Sequence, residues 1–90
     1  MKLDVIARDR IIYSGEVDMV VLPAAEGEMG ILEDHADFVI MLKRGSLHTH
    51  KGSEIKTIAI GDGYAEISKN RVLVLADAVV FSAALNEKRR

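Results

Sequence analysis

Phe38-Val39-Ile40-Met41-Leu42-Lys43-Arg44-Gly45-Ser46-Leu47-His48-Thr49-His50-Lys51-Gly52-Ser53 decides the fold class. Phe38, Ile40 and Leu42 alternate with Val39 and Met41, and Leu47 and Thr49 alternate with Ser46, His48 and His50. Side chains two apart share one face of an extended chain, so both runs read as strands. Lys43-Arg44-Gly45 and Lys51-Gly52-Ser53 follow as turns.

The pattern continues in both directions. Upstream, Leu3, Val5 and Ala7 share a face, Ile11 to Tyr13 forms a short strand, and Val17, Met19 and Val21 alternate with Asp18 and Val20. Downstream, Ile58 and Ile60 share a face opposite Ile55, Thr57 and Ala59, and Arg71 to Phe81 is nearly all apolar. Ser14-Gly15, Gly61-Asp62-Gly63 and Ser68-Lys69-Asn70 read as further turns. Pro23 follows a strand, where its missing N–H costs no ladder bond. Val and Ile number nine each, and β-branched residues suit a pleated surface. Turns recurring roughly every 8–12 residues predict a sandwich or barrel.

Composition narrows the function. Ninety residues make one small domain. With 49% hydrophobic and 4% aromatic residues, the core must be aliphatic. Twelve Lys+Arg against fourteen Asp+Glu give a net charge of −2, which argues against a nucleic-acid binder. The absence of Cys removes disulfides and thiol chemistry and fits a reducing compartment. No apolar run reaches the roughly 18–20 residues of a membrane span, and Asp4 and Arg8 interrupt any signal-peptide core.

The search for chemistry is negative. Glu26 to Asp37 holds five acids and one His in twelve positions, but not at calcium-loop spacing. No aromatic platform supports a glycosidase pair. The segment reads as a solvated loop that turns its acids to water or to a basic partner. Gly61-Asp62-Gly63 lacks the third glycine of a dinucleotide turn, since Glu66 stands there. His48 and His50 lie on one strand face and read as surface residues, with no third ligand evident in sequence. Met19, Met29 and Met41 read as core. What remains is a binding or assembly module.

The order of several blocks is recognisable. Val17-Asp18-Met19-Val20-Val21-Leu22-Pro23-Ala24-Ala25-Glu26-Gly27-Glu28-Met29-Gly30-Ile31-Leu32, then His35-Ala36, resembles the V-x-x-V-x-L-P-G-x-E-G-E-x-G-I-L-P-x-H-A-P pattern of the F-type ATP synthase epsilon subunits, whose mitochondrial counterpart is called delta. Tyr13-Ser14-Gly15, Leu42-Lys43-Arg44-Gly45, Gly61-Asp62-Gly63-Tyr64-Ala65-Glu66-Ile67 and Asn70-Arg71-Val72-Leu73-Val74-Leu75-Ala76-Asp77 match flanking blocks in register. Glu33 and Asp37 stand where the family has Pro, and Ala24 where it has Gly, so the loop is more acidic and less rigid.

The resemblance implies an all-β fold, a flattened ten-stranded β-sandwich or barrel over residues 1–84. Residues 85–90 would begin a C-terminal helix of which only the stub is present, without the family's regulatory helical hairpin. It implies a non-catalytic rotor subunit of the central stalk that links gamma to the membrane c-ring and reaches the F1 catalytic head through gamma. It places the chain peripherally at the cytoplasmic face of the bacterial plasma membrane. By position, Glu26, Glu28 and Met29 resemble the loop facing the polar loops of the c-ring, and His35, Phe38, Ile40 and Leu42 the face toward gamma. No catalytic, nucleotide, metal or cofactor site is implied. The alternative is a free-standing β module that binds a metal or ligand through His35, His48 and His50. A lipoyl-type or biotinyl-type carrier is disfavoured by the neighbours of Lys51 and Lys69.

Overall fold

The computed structural model describes residues 1–8, 10–77 and 79–82. It contains ten strands among those residues: β1 (Lys2–Ala7), β2 (Arg10–Glu16), β3 (Met19–Ala24), β4 (Gly27–Leu32), β5 (Phe38–Leu42), β6 (Gly45–Lys51), β7 (Glu54–Ile60), β8 (Gly63–Ser68), β9 (Arg71–Ala76) and β10 (Val79–Ser82). The described residues contain no helix. The helix start expected over 85–90 lies outside them.

Strand pairing resolves into two five-stranded layers. One runs β10-β7-β6-β3-β4 and the other β5-β8-β9-β1-β2. A single bridge between Ala24 and Leu42 joins them into one curled sheet. All pairs are antiparallel except β1 with β9, which run parallel from Lys2↔Arg71 to Ala7↔Ala76. The all-β expectation and the ten-stranded sandwich therefore hold.

Alternation fills the space between the layers. Val20 and Leu22 from β3, Leu47 from β6 and Ile58 and Ile60 from β7 meet Leu3 and Val5 from β1, Ile67 from β8 and Val72 and Val74 from β9 in one cluster. Leu3, Val5, Val20, Leu22, Leu47, Val72 and Val74 are fully buried. Each such side chain contributes about 1.5–3 kcal/mol of burial. The core is aliphatic, as the composition required.

Five details differ from the sequence reading. Pro23 does not follow the strand but lies inside β3, opposite Glu28 of β4. The Glu-Gly segment is no loop: Gly27–Leu32 is β4, paired along its whole length with β3. Ser14-Gly15 is no turn but part of β2, pairing with Asp4 and Leu3. A bend at Asp18 separates Val17 from the strand, so Val17 is buried while Met19 and Val21 turn to the outer face and Val20, Leu22 and Ala24 turn inward. Met29 and Met41 are exposed, not core.

Turn chemistry fixes the hairpins. Gly52 carries φ +61° at the β6–β7 turn, a left-handed conformation that glycine adopts without penalty. Its amide donates to Asp18 Oδ2 at 2.7 Å, and the Asp18 amide donates to the His50 carbonyl at 2.7 Å. Asn70 takes φ +57° at the β8–β9 turn, which its short polar side chain tolerates.

Candidate functional site

The β3–β4 hairpin projects one end of the sandwich. Its tip is Ala25-Glu26, and the Ala25 amide donates to the Met41 carbonyl at 2.9 Å, tying the tip to β5. Lys43 N–H donates to the Pro23 carbonyl at 2.9 Å and completes the lock. Between tip and β5 lies an open cleft of about 450 Å³, walled by Ala24, Glu26, Glu28, Met29, Ile40 and Met41. Glu26 and Glu28 are exposed and enter no ion pair among the described residues. An apolar floor under two free carboxylates suits a long cationic side chain or a polar loop carrying one. Glu26, Glu28 and Met29, which the resemblance implies for the ring-facing loop, line this cleft together.

The other predicted group is split. Leu42 is buried in the core, and Phe38 and Ile40 pack against that core from β5. On the same strand Val39 and Met41 point the opposite way and are 61% and 63% exposed. The sequence reading put Met41 in the core and gave Val39 no role, although the alternation that turns Leu42 inward also turns Met41 outward.

His35 lies in the loop between β4 and β5. Its ring meets Phe38 edge-on, with centroids 6.3 Å apart at 78°. Nδ1 lies 3.1 Å from the Ala36 carbonyl. Nε2 is buried and has no hydrogen-bond partner among the described residues. A buried polar nitrogen left unpaired is costly, so a group that could reach it would be favoured there.

The three histidines do not meet as a metal site. His48 and His50 share the outer face of β6, where His48 Nδ1 pairs with Thr57 Oγ1 at 3.0 Å, and His35 sits in its separate loop. Among the described residues no three His, Asp or Glu side chains gather as ligands. The metal-module alternative finds no ligand set among the described residues, because the fold keeps His35, in its loop, away from His48 and His50 on β6.

Residues 1–82 match the family model of the ATP synthase delta/epsilon chain β-sandwich domain. The chain is 40% identical over 76 residues to the ATP synthase epsilon chain of Desulforamulus reducens, covering 84% of this chain and 58% of that one. It is 41% identical over 81 residues to that of Helicobacter pylori strain Shi470, covering 90% and 66%. It therefore spans between half and two thirds of the length of these relatives. A chain in the Euglena gracilis mitochondrial ATP synthase assembly of OSCP, F1 and c-ring superposes with TM-score 0.81 at 26% identity, covering 87% of this chain and 51% of that one. A chain of the Tetrahymena thermophila mitochondrial ATP synthase central stalk and c-ring shares the fold at TM-score 0.72 and 12% identity, covering 87% and 63%.

Proposed function

The chain belongs to the ATP synthase delta/epsilon family, and from that premise we propose that residues 1–84 form the β domain of a central-stalk subunit that links gamma to the c-ring. The observation that carries this reading is the match of the family's β-sandwich domain across residues 1–82. The subunit is non-catalytic: it transmits torque through packed surfaces while the catalytic head makes or hydrolyses ATP. Its place is peripheral, at the cytoplasmic face of a bacterial plasma membrane, through the complex.

The acid-rimmed hairpin tip supplies the ring side. Glu26, Glu28 and Met29 meet the polar loops of the c-ring, where exposed carboxylates attract basic loop residues. The loop carrying His35 and strand β5 supply the gamma side. Phe38, Ile40 and Leu42 serve it by anchoring β5 in the core, and His35 lies in the loop that leads into that strand. The test is reconstitution. F1 depleted of its own epsilon and supplied with this chain should rebind membrane-embedded Fo and recover ATP-driven proton pumping. A folded chain that does not bind such F1 would overturn the proposal.

A further inference from the structure

Register lines up one row of residues at the end of the sandwich that carries the hairpin tip. Ala24 pairs with Leu42, Leu42 with Gly63, Gly63 with Ala76, and Ala76 with Ala7. Just beyond this row the chain crosses between layers at Lys43-Arg44 from β5 to β6, at Gly61-Asp62 from β7 to β8, and on leaving β9 at Asp77. Asp62 joins these crossings. Its Oδ1 accepts from the Arg44 amide at 3.0 Å, and its carbonyl accepts from the Asp77 amide at 2.6 Å. The Asp77 carbonyl in turn accepts from Arg8 Nε at 3.4 Å, which brings in the β1–β2 turn. On the other side, the Lys43 and Ala25 amides carry the run of bonds to the hairpin, through the Pro23 and Met41 carbonyls. Gly45, which opens β6, lies so close to Pro23 that a Cβ on it would stand 3.0 Å from Pro23 Cβ.

We propose that Asp62 is a positioning residue for the hairpin tip: by holding the Arg44 amide it fixes the β5–β6 turn, and through that turn the angle at which Glu26 and Glu28 leave the sandwich. The proposal rests on the stalk reading for its use in coupling, whereas the effect on the tip can be read in the free chain. Three observations single out this side chain. A single ladder bridge, Ala24 with Leu42, joins the two layers, so the tip has few other ties to the second layer. Among the described residues β4 pairs only with β3, so no strand holds the hairpin from its far side. Asp62 itself stands on a fixed base, since the next residue, Gly63, is paired with both Leu42 and Ala76. The N–H that Asp62 accepts lies one peptide beyond the N–H that Lys43 gives to Pro23, so the orientation of one sets the other. The carboxylate is exposed. Its bond therefore adds little to global stability and acts on local opening of the tip.

The experiment compares the 90-residue parent with Asp62→Ala, Asp62→Asn and Glu54→Ala, the last an exposed acid at the opposite end of β7. In the free chain, Asp62→Ala should speed amide hydrogen exchange ~10-fold at Arg44, the size of one lost bond. Exchange at Lys43 and Ala25 should rise ~3-fold or more as the tip opens with it, and exchange at Leu47 should stay as it was. Asp62→Asn keeps the acceptor oxygen without the charge and should restore protection to within ~3-fold of the parent. Intact mass confirms that the new amide, beside Gly63, has not hydrolysed. Glu54→Ala should exchange as the parent does at all of these amides. Faster exchange confined to Arg44, or equal loosening by Glu54→Ala, overturns the proposal. So does a uniform loss of protection with a lower melting temperature, which would make Asp62 a general stabiliser. With epsilon-depleted F1 rebound to membrane-embedded Fo, Asp62→Ala should lower proton pumping per ATP hydrolysed by ~2-fold or more, and Asp62→Asn should restore it. Parent-like pumping by Asp62→Ala overturns the positioning role and leaves the stalk reading standing. A parent that fails to couple overturns the stalk reading and the role in coupling with it, and the exchange result then decides the hold on the tip alone.

Discussion

Gly63 lies flat against the backbone of Leu75: a Cβ placed on Gly63 would overlap the Leu75 carbonyl oxygen and come within 2.7 Å of Ala76 Cα. Both contacts are backbone, which cannot swing aside as a side chain can. Gly63 opens β8, pairing with Leu42 on one side and Ala76 on the other. Gly63→Ala should therefore cost about 2–3 kcal/mol. Urea unfolding with an unchanged slope and a lower midpoint would show it; a midpoint within error of the parent would contradict the close approach.

Burial separates two leucines of the first layer. Leu47 is fully buried, whereas Leu32, on the edge strand β4, is 59% exposed. Leu47→Ala should cost about 3 kcal/mol by leaving a cavity, and Leu32→Ala under about 0.5 kcal/mol. Thermal melts of the two variants side by side check the ranking.

Asp18 caps the β6–β7 turn through the Gly52 amide. Asp18→Ala removes an exposed charge-assisted bond and should cost about 1 kcal/mol. Hydrogen exchange should rise at the Gly52 amide, while Leu47, deep in β6, keeps its protection. Uniform loss of protection would mean that Asp18 acts globally instead.

Replacing His35 separates the cost of its buried nitrogen from any part of its loop in partner binding. Phe at this position retains an edge-on contact with Phe38 and deletes an unpaired buried group. The isolated domain should be as stable or gain up to about 1 kcal/mol. Binding to F1 should weaken if the loop carrying His35 contacts gamma. Unchanged affinity would remove His35 from the interface.

Glu28→Lys should leave the melting temperature of the domain in place, since Glu28 is exposed and unpaired among the described residues. In reconstituted membranes it should lower ATP-driven proton pumping relative to ATP hydrolysis. Parent-like coupling would argue against a ring contact at the hairpin tip.

Much of the sandwich was legible because its strands alternate: β1, β6 and β7 bury the residues that period two assigns. β4 was not, because it pairs only with β3 and buries only Ile31. A strand held by its ladder bonds with both faces largely wet leaves no hydrophobic rhythm to read. Strand β5 was legible as a strand, but its inward face was not, for the opposite reason. All five of its residues are apolar, so alternation could not say which face is inward; the neighbours of Leu42, Ala24 and Gly63, decide that. The acidic hairpin tip was legible as a surface because charge alone demands solvent or a partner.

The parallel seam has a consequence for biosynthesis. β1 is made first, yet its neighbour β9 begins at Arg71. The β1–β2 hairpin leaves the ribosome with one edge bare and holds it open until nearly the whole domain has been translated. Closing that long loop is the entropically expensive step, so folding should be late and slow for so small a chain. A nascent chain stalled before β9 clears the exit tunnel would present an unpaired edge strand, the state in which this domain is most exposed to aggregation and to chaperones.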